Sequence, residues 1–67
     1  MHKEGYYSSG EFAKKANVTV RTIRYYDKQN ILKPSLVSEA GARFYTEEDF
    51  ARLQQILLLK YLGFSLY

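Results

Sequence analysis

The side chains best equipped for binding chemistry fall within one short segment that has the pattern of a helix. Within an arc of about 100° on its surface, that helix would carry Arg21, Arg24, Tyr25 and Lys28. A guanidinium can donate paired hydrogen bonds to phosphate or to guanine, which makes arginine a common reader of DNA. Because Ile23 falls on the opposite side and can dock on the rest of the protein, this cationic and aromatic face favours a nucleic acid as ligand.

Residues for catalysis or metal binding are scarce. The chain has no cysteine, and its one histidine is His2. The acids at 47–49 are contiguous, whereas acid–base catalysis needs a pair spaced around a substrate. The sequence also contains neither a G-x-S-x-G motif nor a glycine-rich phosphate loop. We therefore expect no enzyme activity, no cofactor and no metal site.

Charge is distributed unevenly along the chain. The formal net charge is +3, but residues 12–35 carry six lysines and arginines against the acid Asp27, which leaves +5. Residues 39–50 carry four acids against Arg43, which leaves −3. A basic block inside a folded segment suggests a polyanionic partner. On charge alone, an ordinary solvated basic face is the simpler alternative.

Length and composition limit the chain to one small folded domain. It has 67 residues, of which 46% are hydrophobic and 16% aromatic, so its core must rest on large rings. The longest aliphatic run covers residues 56–59, far short of the roughly 20 residues that span a bilayer. The start of the chain lacks the apolar stretch of a signal peptide. The absence of cysteine fits a cytoplasmic location, and a nucleic-acid ligand would add association with the nucleoid.

The first half of the chain predicts two helices joined by a tight turn. After a very short strand at 6–7, a capping box begins at Ser8 and a helix runs to Ala16. Asn17 suits the left-handed conformation that ends a helix. Thr19 is a good N-cap for a second helix over 20–28, so the two helices must cross steeply. This is the outline of a helix-turn-helix.

The second half predicts a β-ribbon and a third helix. Residues 35–37 and 43–45 read as short strands joined by a connector with one glycine. Thr46 is an N-cap, and the acids after it suit the positive end of the helix dipole. One apolar stripe is formed by Phe50, Leu53, Leu57 and Tyr61, and Ile56, Leu58, Leu59 and Leu62 widen it well beyond one face. Gly63 ends this helix, and Ser65 has the place of the next N-cap.

Four motifs resemble those of the MerR family of transcription regulators. Residues 18–27 (VTVRTIRYYD) resemble the family's recognition helix, and 31–34 (ILKP) resemble its Leu-Leu-x-Pro. Residues 41–45 (GARFY) resemble its Gly-Tyr-Arg-x-Tyr wing, and 62–66 (LGFSL) its Leu-Gly-Phe-Ser-Leu. The resemblance runs from about residue 7 to residue 66, in the family's order and spacing.

The resemblance implies a mostly α fold with a small β-hairpin wing, a winged helix-turn-helix occupying residues 1–67 as a single domain. Its helix-turn-helix would cover about 8–28, its wing about 35–45 and its third helix about 46–62, and the piece would be excised from a longer protein. The implied function is sequence-specific binding of double-stranded DNA. In the longer protein, the family's pattern is an effector-responsive homodimer, joined through a coiled-coil helix, on a palindromic promoter. It distorts an over-long promoter spacer and so acts on RNA polymerase indirectly.

The motifs and the resemblance together give a set of DNA-binding candidates: Thr19, Arg21, Thr22, Arg24, Tyr25, Lys28, Arg43, Tyr45 and Lys60. Arg21 and Tyr25 are expected to reach base edges or nearby phosphates. Arg24 either contacts a phosphate or pairs with Asp27 one turn along the helix. Arg43 matches the family's wing arginine, which clamps a phosphate.

Some positions carry other expectations. Lys60 either touches the DNA backbone or complements the C-terminus of its helix. Tyr26 is expected in the core because it lies on the Ile23 side. The chain departs from the family at Asn17, at Ser9 and at Ala42, where the wing usually has tyrosine.

Two other functions stay open on the sequence. One is a naturally short, excisionase-like architectural DNA-binding protein. The other is a protein-interaction module that uses the apolar surface of residues 56–62.

Overall fold

The chain folds into helices and strands in the predicted order. A computed structural model describes residues 5–63. In chain order the elements are β1 (Tyr7–Ser8), α1 (Ser9–Ala16), α2 (Val20–Lys28), β2 (Leu36–Val37), β3 (Arg43–Tyr45) and α3 (Glu47–Tyr61). His2, the predicted helix start at Ser65 and the end of the LGFSL motif lie outside the described residues.

Capping residues fix where α1 and α2 begin and where the turn between them lies. The Ser8 hydroxyl accepts from the Glu11 N–H at 3.2 Å, and the Glu11 carboxylate accepts from the Ser8 N–H at 2.9 Å. Asn17 ends α1 in the left-handed conformation, with φ 58° and ψ 42°. Thr19 then caps α2 by accepting from the Thr22 N–H at 3.1 Å. The predicted helix-turn-helix is confirmed.

The wing belongs to a three-stranded antiparallel sheet in the order β1-β3-β2. Leu36 of β2 lies opposite Phe44 of β3, as the predicted ribbon requires. Tyr7 of β1 lies opposite Tyr45 on the other edge of β3. The early strand therefore begins one residue later than predicted, and it attaches the wing to the start of α1.

The core is a cluster of rings and aliphatic side chains between the helices and β3. Phe12 and Tyr45 stack with centroids 4.2 Å apart and an interplanar angle of 8°. The buried members are Phe12, Ala13, Ile23, Tyr26, Leu32, Tyr45 and Leu53. Tyr26 is only 2% exposed, which confirms its predicted place in the core. Because α1, α2, β3 and α3 all contribute, α2 and the wing are held in one arrangement.

The start of α3 is joined to the start of the wing by a buried carboxylate. Asp49 is 5% exposed and accepts from the Thr46 N–H at 2.9 Å, while Thr46 accepts from the Asp49 N–H. The Ser35 hydroxyl donates to the same carboxylate at 2.5 Å. These bonds form the predicted helix start and hold residue 35 beside it.

The apolar stripe of α3 packs against the core along only part of its length. Leu53 is fully buried, and Phe50 and Leu57 pack partly against the core. Tyr61, the last residue of the stripe, is 87% exposed. The physical reason is length, because the 15-residue α3 extends past the small core. The exposed apolar side chains near its end are Leu58, Leu59, Tyr61 and Leu62.

Candidate nucleic-acid interface

The outer face of α2 is exposed, basic and partly aromatic. Its exposed residues include Arg21, Arg24, Tyr25 and Lys28. On the inner face, Ile23 is 1% exposed. Tyr25 is 46% exposed, and its ring lies 6.1 Å from that of the buried Tyr26 at a tilt of 54°. The core therefore fixes the rotation of α2, and with it the direction in which the basic face points.

The N-terminal turn of α2 is ordered by two threonines. The hydroxyls of Thr19 and Thr22 lie 2.9 Å apart and share a hydrogen bond. Thr19 also caps the helix, so its hydroxyl already serves a structural purpose. Their predicted contacts with DNA remain predictions, with Thr19 exposed and Thr22 half-buried.

A carboxylate at the other end of α2 collects two cations from later parts of the chain. Asp27 is 8% exposed and accepts from the Lys33 ammonium at 2.9 Å and from Nε of Arg43 at 2.5 Å. The hydrogen bond from Lys33 lowers the pKa of Asp27, Arg43 lowers it further, and burial opposes both. The cations that pair with Asp27 are Lys33 and Arg43, so the structure does not support the predicted alternative of an Arg24–Asp27 pair.

Arg24 and Arg43 line one cavity between the helix-turn-helix and the wing. The cavity has a volume of about 380 Å³ and is open to solvent. Its other lining residues belong to the start of α1 and to the wing: Ser8, Ser9, Gly10, Gly41, Ala42 and Phe44. Two guanidinium groups beside one cleft form a place where an anion can be held. Ser9 and Ala42, two of the departures from the family pattern, both lie in this lining.

The expectation that Tyr45 contacts DNA is corrected. Its side chain is 0% exposed, stacks on Phe12 and has a buried hydroxyl. Burial raises the pKa of Tyr45 to about 12. A side chain enclosed in this way has no surface to offer a ligand, so Tyr45 supports the wing from within.

Lys60 lies in the last turn of α3, on a different element from α2 and the wing. It is exposed there. A positive charge at this end of a helix is favoured by the helix dipole, so the position of Lys60 suits one of its two predicted roles. Its contact with the DNA backbone stays a prediction.

Neither the role of Lys33 at this surface nor the pair of Asp27 with Arg43 was predicted. Lys33 was counted only as part of the basic block, and the Asp27–Arg43 pair joins residues far apart in sequence. One signal was present, because an acid in the last turn of a helix opposes the dipole and needs nearby cations. The sequence gives no way of choosing Arg43 among the available cations.

The described part of the chain offers few other sites. Between residues 5 and 63, no cluster of three histidine, cysteine or acidic side chains could hold a metal ion. No helix in the same range has the length and apolarity to cross a bilayer.

Comparisons with known proteins give one consistent relationship. Residues 7–67 match the MerR HTH family regulatory protein model. The chain is 50% identical over 60 residues to the HTH-type transcriptional regulator ZntR of Escherichia coli K12, covering 90% of this chain and 43% of ZntR.

Solved structures agree. A MerR-family transcriptional regulator from Bacillus cereus superposes with a TM-score of 0.84 at 54% identity, over 91% of this chain and 46% of that one. HiNmlR, a MerR-family regulator lacking its sensor domain and bound to promoter DNA, gives a TM-score of 0.84 at 33% identity. That match covers 91% of this chain and 48% of HiNmlR.

The chain thus spans less than half the length of each of these proteins. The relatives are transcription regulators and not enzymes, which confirms the prediction of a non-enzymatic protein. The winged helix-turn-helix prediction is confirmed by the same superpositions. With the motifs, the fold and a family match over nearly its whole length in agreement, the chain belongs to the MerR HTH family of regulatory proteins.

Proposed function

We propose that this chain is the sequence-specific DNA-binding domain of a transcription regulator. The observation that carries the proposal is the exposed basic face of α2 beside a wing whose Arg43 is tied to the same helix. A helix fits the major groove of B-DNA, and its exposed side chains can then reach base edges. The structural likeness to HiNmlR, which was solved on promoter DNA, supports the same docking.

The residues divide into two roles on this proposal. Arg21 lies near the start of α2 and reads base edges, because the N-terminal residues of a recognition helix contact them. Tyr25 lies one turn further along the same face and joins it there. Arg24, Lys28 and Arg43 hold the backbone and fix the register of the domain. Phosphate contacts supply most of the affinity, and base contacts supply the specificity.

The whole protein is proposed to act as the family resemblance implies. It would be a homodimer on a palindromic promoter site, would respond to an effector and would distort an over-long spacer to change the register of the polymerase elements. DNA distortion of this kind is a form of shape control. The similarity of this chain to longer regulators supports that reading, and the effector-binding and dimerising parts would lie in sequence outside residues 1–67.

Substitution of Arg21 tests the base-reading role. With a duplex selected from a random pool by the 67-residue chain, we expect Arg21→Ala to weaken binding about 5- to 150-fold and to relax specificity at one base position. Fluorescence anisotropy measures the affinity, and repeated selection with the variant measures the specificity.

Arg52→Ala is the matched control. Arg52 is an exposed arginine on α3 that lies 3.6 Å from Glu48, away from α2 and the wing in the chain. It removes the same charge, so we expect little loss of affinity and no change in specificity. If the two variants bind every duplex equally well, Arg21 does not read a base.

A second candidate function has one observation in its favour. The exposed apolar side chains at the end of α3 form a patch suited to another protein. A protein-interaction module would use that patch and leave the basic face of α2 unoccupied. Mapping the surface that DNA perturbs separates the two functions.

A further inference from the structure

Asp27 occupies a place that electrostatics disfavours. It is next to the last residue of α2, where the helix dipole is negative, and it is 8% exposed. Burying a carboxylate is costly unless it is paired and hydrogen-bonded. Asp27 is therefore held in its charged form by Lys33 and Arg43.

The two cations serve Asp27 in different ways. Lys33 also donates to the backbone carbonyl of Asp27 at 3.1 Å, and that carbonyl accepts from the Asn30 N–H as well. Arg43 comes from β3 of the wing and donates through Nε. Lys33 thus bonds to both the backbone and the side chain at the end of α2, whereas Arg43 joins that helix to a separate element.

The contact from Arg43 engages only part of its guanidinium. An arginine has five N–H donors in a planar fork, and Nε carries one of them. The Arg43 side chain remains 42% exposed and lines the cavity that Arg24 also lines. Holding Nε fixes the plane of the guanidinium and the direction of its terminal nitrogens.

We propose that Asp27 is a positioning residue that aims Arg43 of the wing across the end of α2, so that Arg43 and Arg24 hold the DNA backbone together. The inference rests on the proposed function, because the ligand is the phosphate backbone of the same DNA. A carboxylate, an arginine and a phosphate then form one line of charge-assisted hydrogen bonds. The wing and the recognition helix bind as a unit.

The direction in which Asp27→Asn changes the affinity for DNA makes the inference testable. Asp27→Asn removes a negative charge from the DNA-binding surface, so general electrostatics alone would strengthen binding. Positioning of Arg43 requires the opposite. We expect Asp27→Asn to weaken binding about 5-fold or more in the wild-type background, a coupling of ordinary size for groups in contact.

A double-mutant cycle separates positioning from a general structural effect. In an Arg43→Ala background, Asp27→Asn should cause no further loss, because no arginine is left to aim. The slope of log affinity against log salt should fall by about one phosphate contact in each single variant and no further in the double variant. Affinities are taken from the folded fraction of each protein, measured by circular dichroism.

Arg43→Lys provides a second variant if Asp27→Asn folds poorly. Lysine keeps the charge, but one ammonium lacks the fork that bonds Asp27 and a phosphate from different edges. We expect it to bind DNA more weakly than wild type. Equal affinity of Arg43→Lys and wild type would overturn the inference.

Other outcomes are equally decisive. Tighter binding by Asp27→Asn, or the same loss in both backgrounds, would show that Asp27 does not act through Arg43. If the wild type binds the selected duplex and Arg21→Ala weakens it while Asp27→Asn tightens it, only this inference fails. If the wild-type chain binds no duplex at all, the proposed function itself fails.

Discussion

At the scale of single residues, the charge of Asp27 depends on its cationic neighbours. The hydrogen bond from Lys33 and the contact from Arg43 lower its pKa, although burial raises it. A lowered pKa in the folded state means that the charged carboxylate stabilises the fold. That stabilisation is present above the pKa of an unfolded aspartate and is lost as pH falls through the lower folded value.

Asp27→Asn should therefore change the acid dependence of stability. At pH 7 we expect the substitution to lower the free energy of unfolding by about 1–3 kcal/mol, with both partners partly exposed. The gap to wild type should close as the pH falls from about 5 to 2, because protonation removes the same interaction from wild type. Urea unfolding across this pH range measures the difference in the free energy of unfolding. A difference that stays constant would contradict the stabilising role of the Asp27 charge.

Substitution of Tyr45 tests whether this buried residue is absent from the DNA-binding surface. Because its side chain is fully buried, we expect Tyr45→Phe to leave the affinity for DNA unchanged in the folded protein. Arg43→Ala, two residues away on β3, should weaken binding to all sequences alike. Anisotropy titrations of the two variants compare them, and a loss for Tyr45→Phe similar to that of Arg43→Ala would restore Tyr45 to the interface.

What could be predicted for single residues depended on local pattern. Tyr25 and Tyr26 are adjacent and identical in type, yet helical geometry separated the exposed one from the buried one. Tyr45 was misassigned because the family motif marks it without saying which way its side chain points. The pair of Asp27 with Arg43 could not be predicted, since it depends on how the wing packs against α2.

At the scale of elements, capping residues account for most of what the sequence predicted correctly. Ser8, Asn17, Thr19 and Thr46 each act within their own helix end, so the bounds of α1, α2 and α3 follow from local chemistry. β1 is harder to predict, because a two-residue strand has no periodicity and is defined by its pairing with β3.

The turn between α1 and α2 carries an element-scale prediction. Asn17 has φ 58°, a conformation that glycine adopts freely and that other residues adopt at some cost. We expect Asn17→Ala to lower the free energy of unfolding by about 1 kcal/mol. Asn17→Gly, the matched control, should keep or slightly raise it. Thermal unfolding measures both, and equal melting temperatures for the two variants would contradict the role of this backbone conformation.

At the scale of the whole molecule, the basic face and the exposed apolar patch lie on different elements. α2 exposes Arg21, Arg24 and Lys28 and the wing exposes Arg43, whereas the end of α3 exposes leucines and Tyr61 beside Lys60. The sequence predicted the apolar excess on α3, but periodicity does not show where along the helix a small core ends. The chain spans less than half of the length of the relatives compared with it.

The central claim is that DNA binds through the face formed by α2 and the wing. Titration of the isotopically labelled 67-residue chain with duplex DNA, followed by amide chemical shifts, tests it most directly. We predict that the amides of Arg21, Tyr25 and Arg43 shift together and saturate at the same DNA concentration, while those of Leu58 and Leu59 move little. Shifts confined to the end of α3, with the amides of α2 and the wing unchanged, would contradict the account.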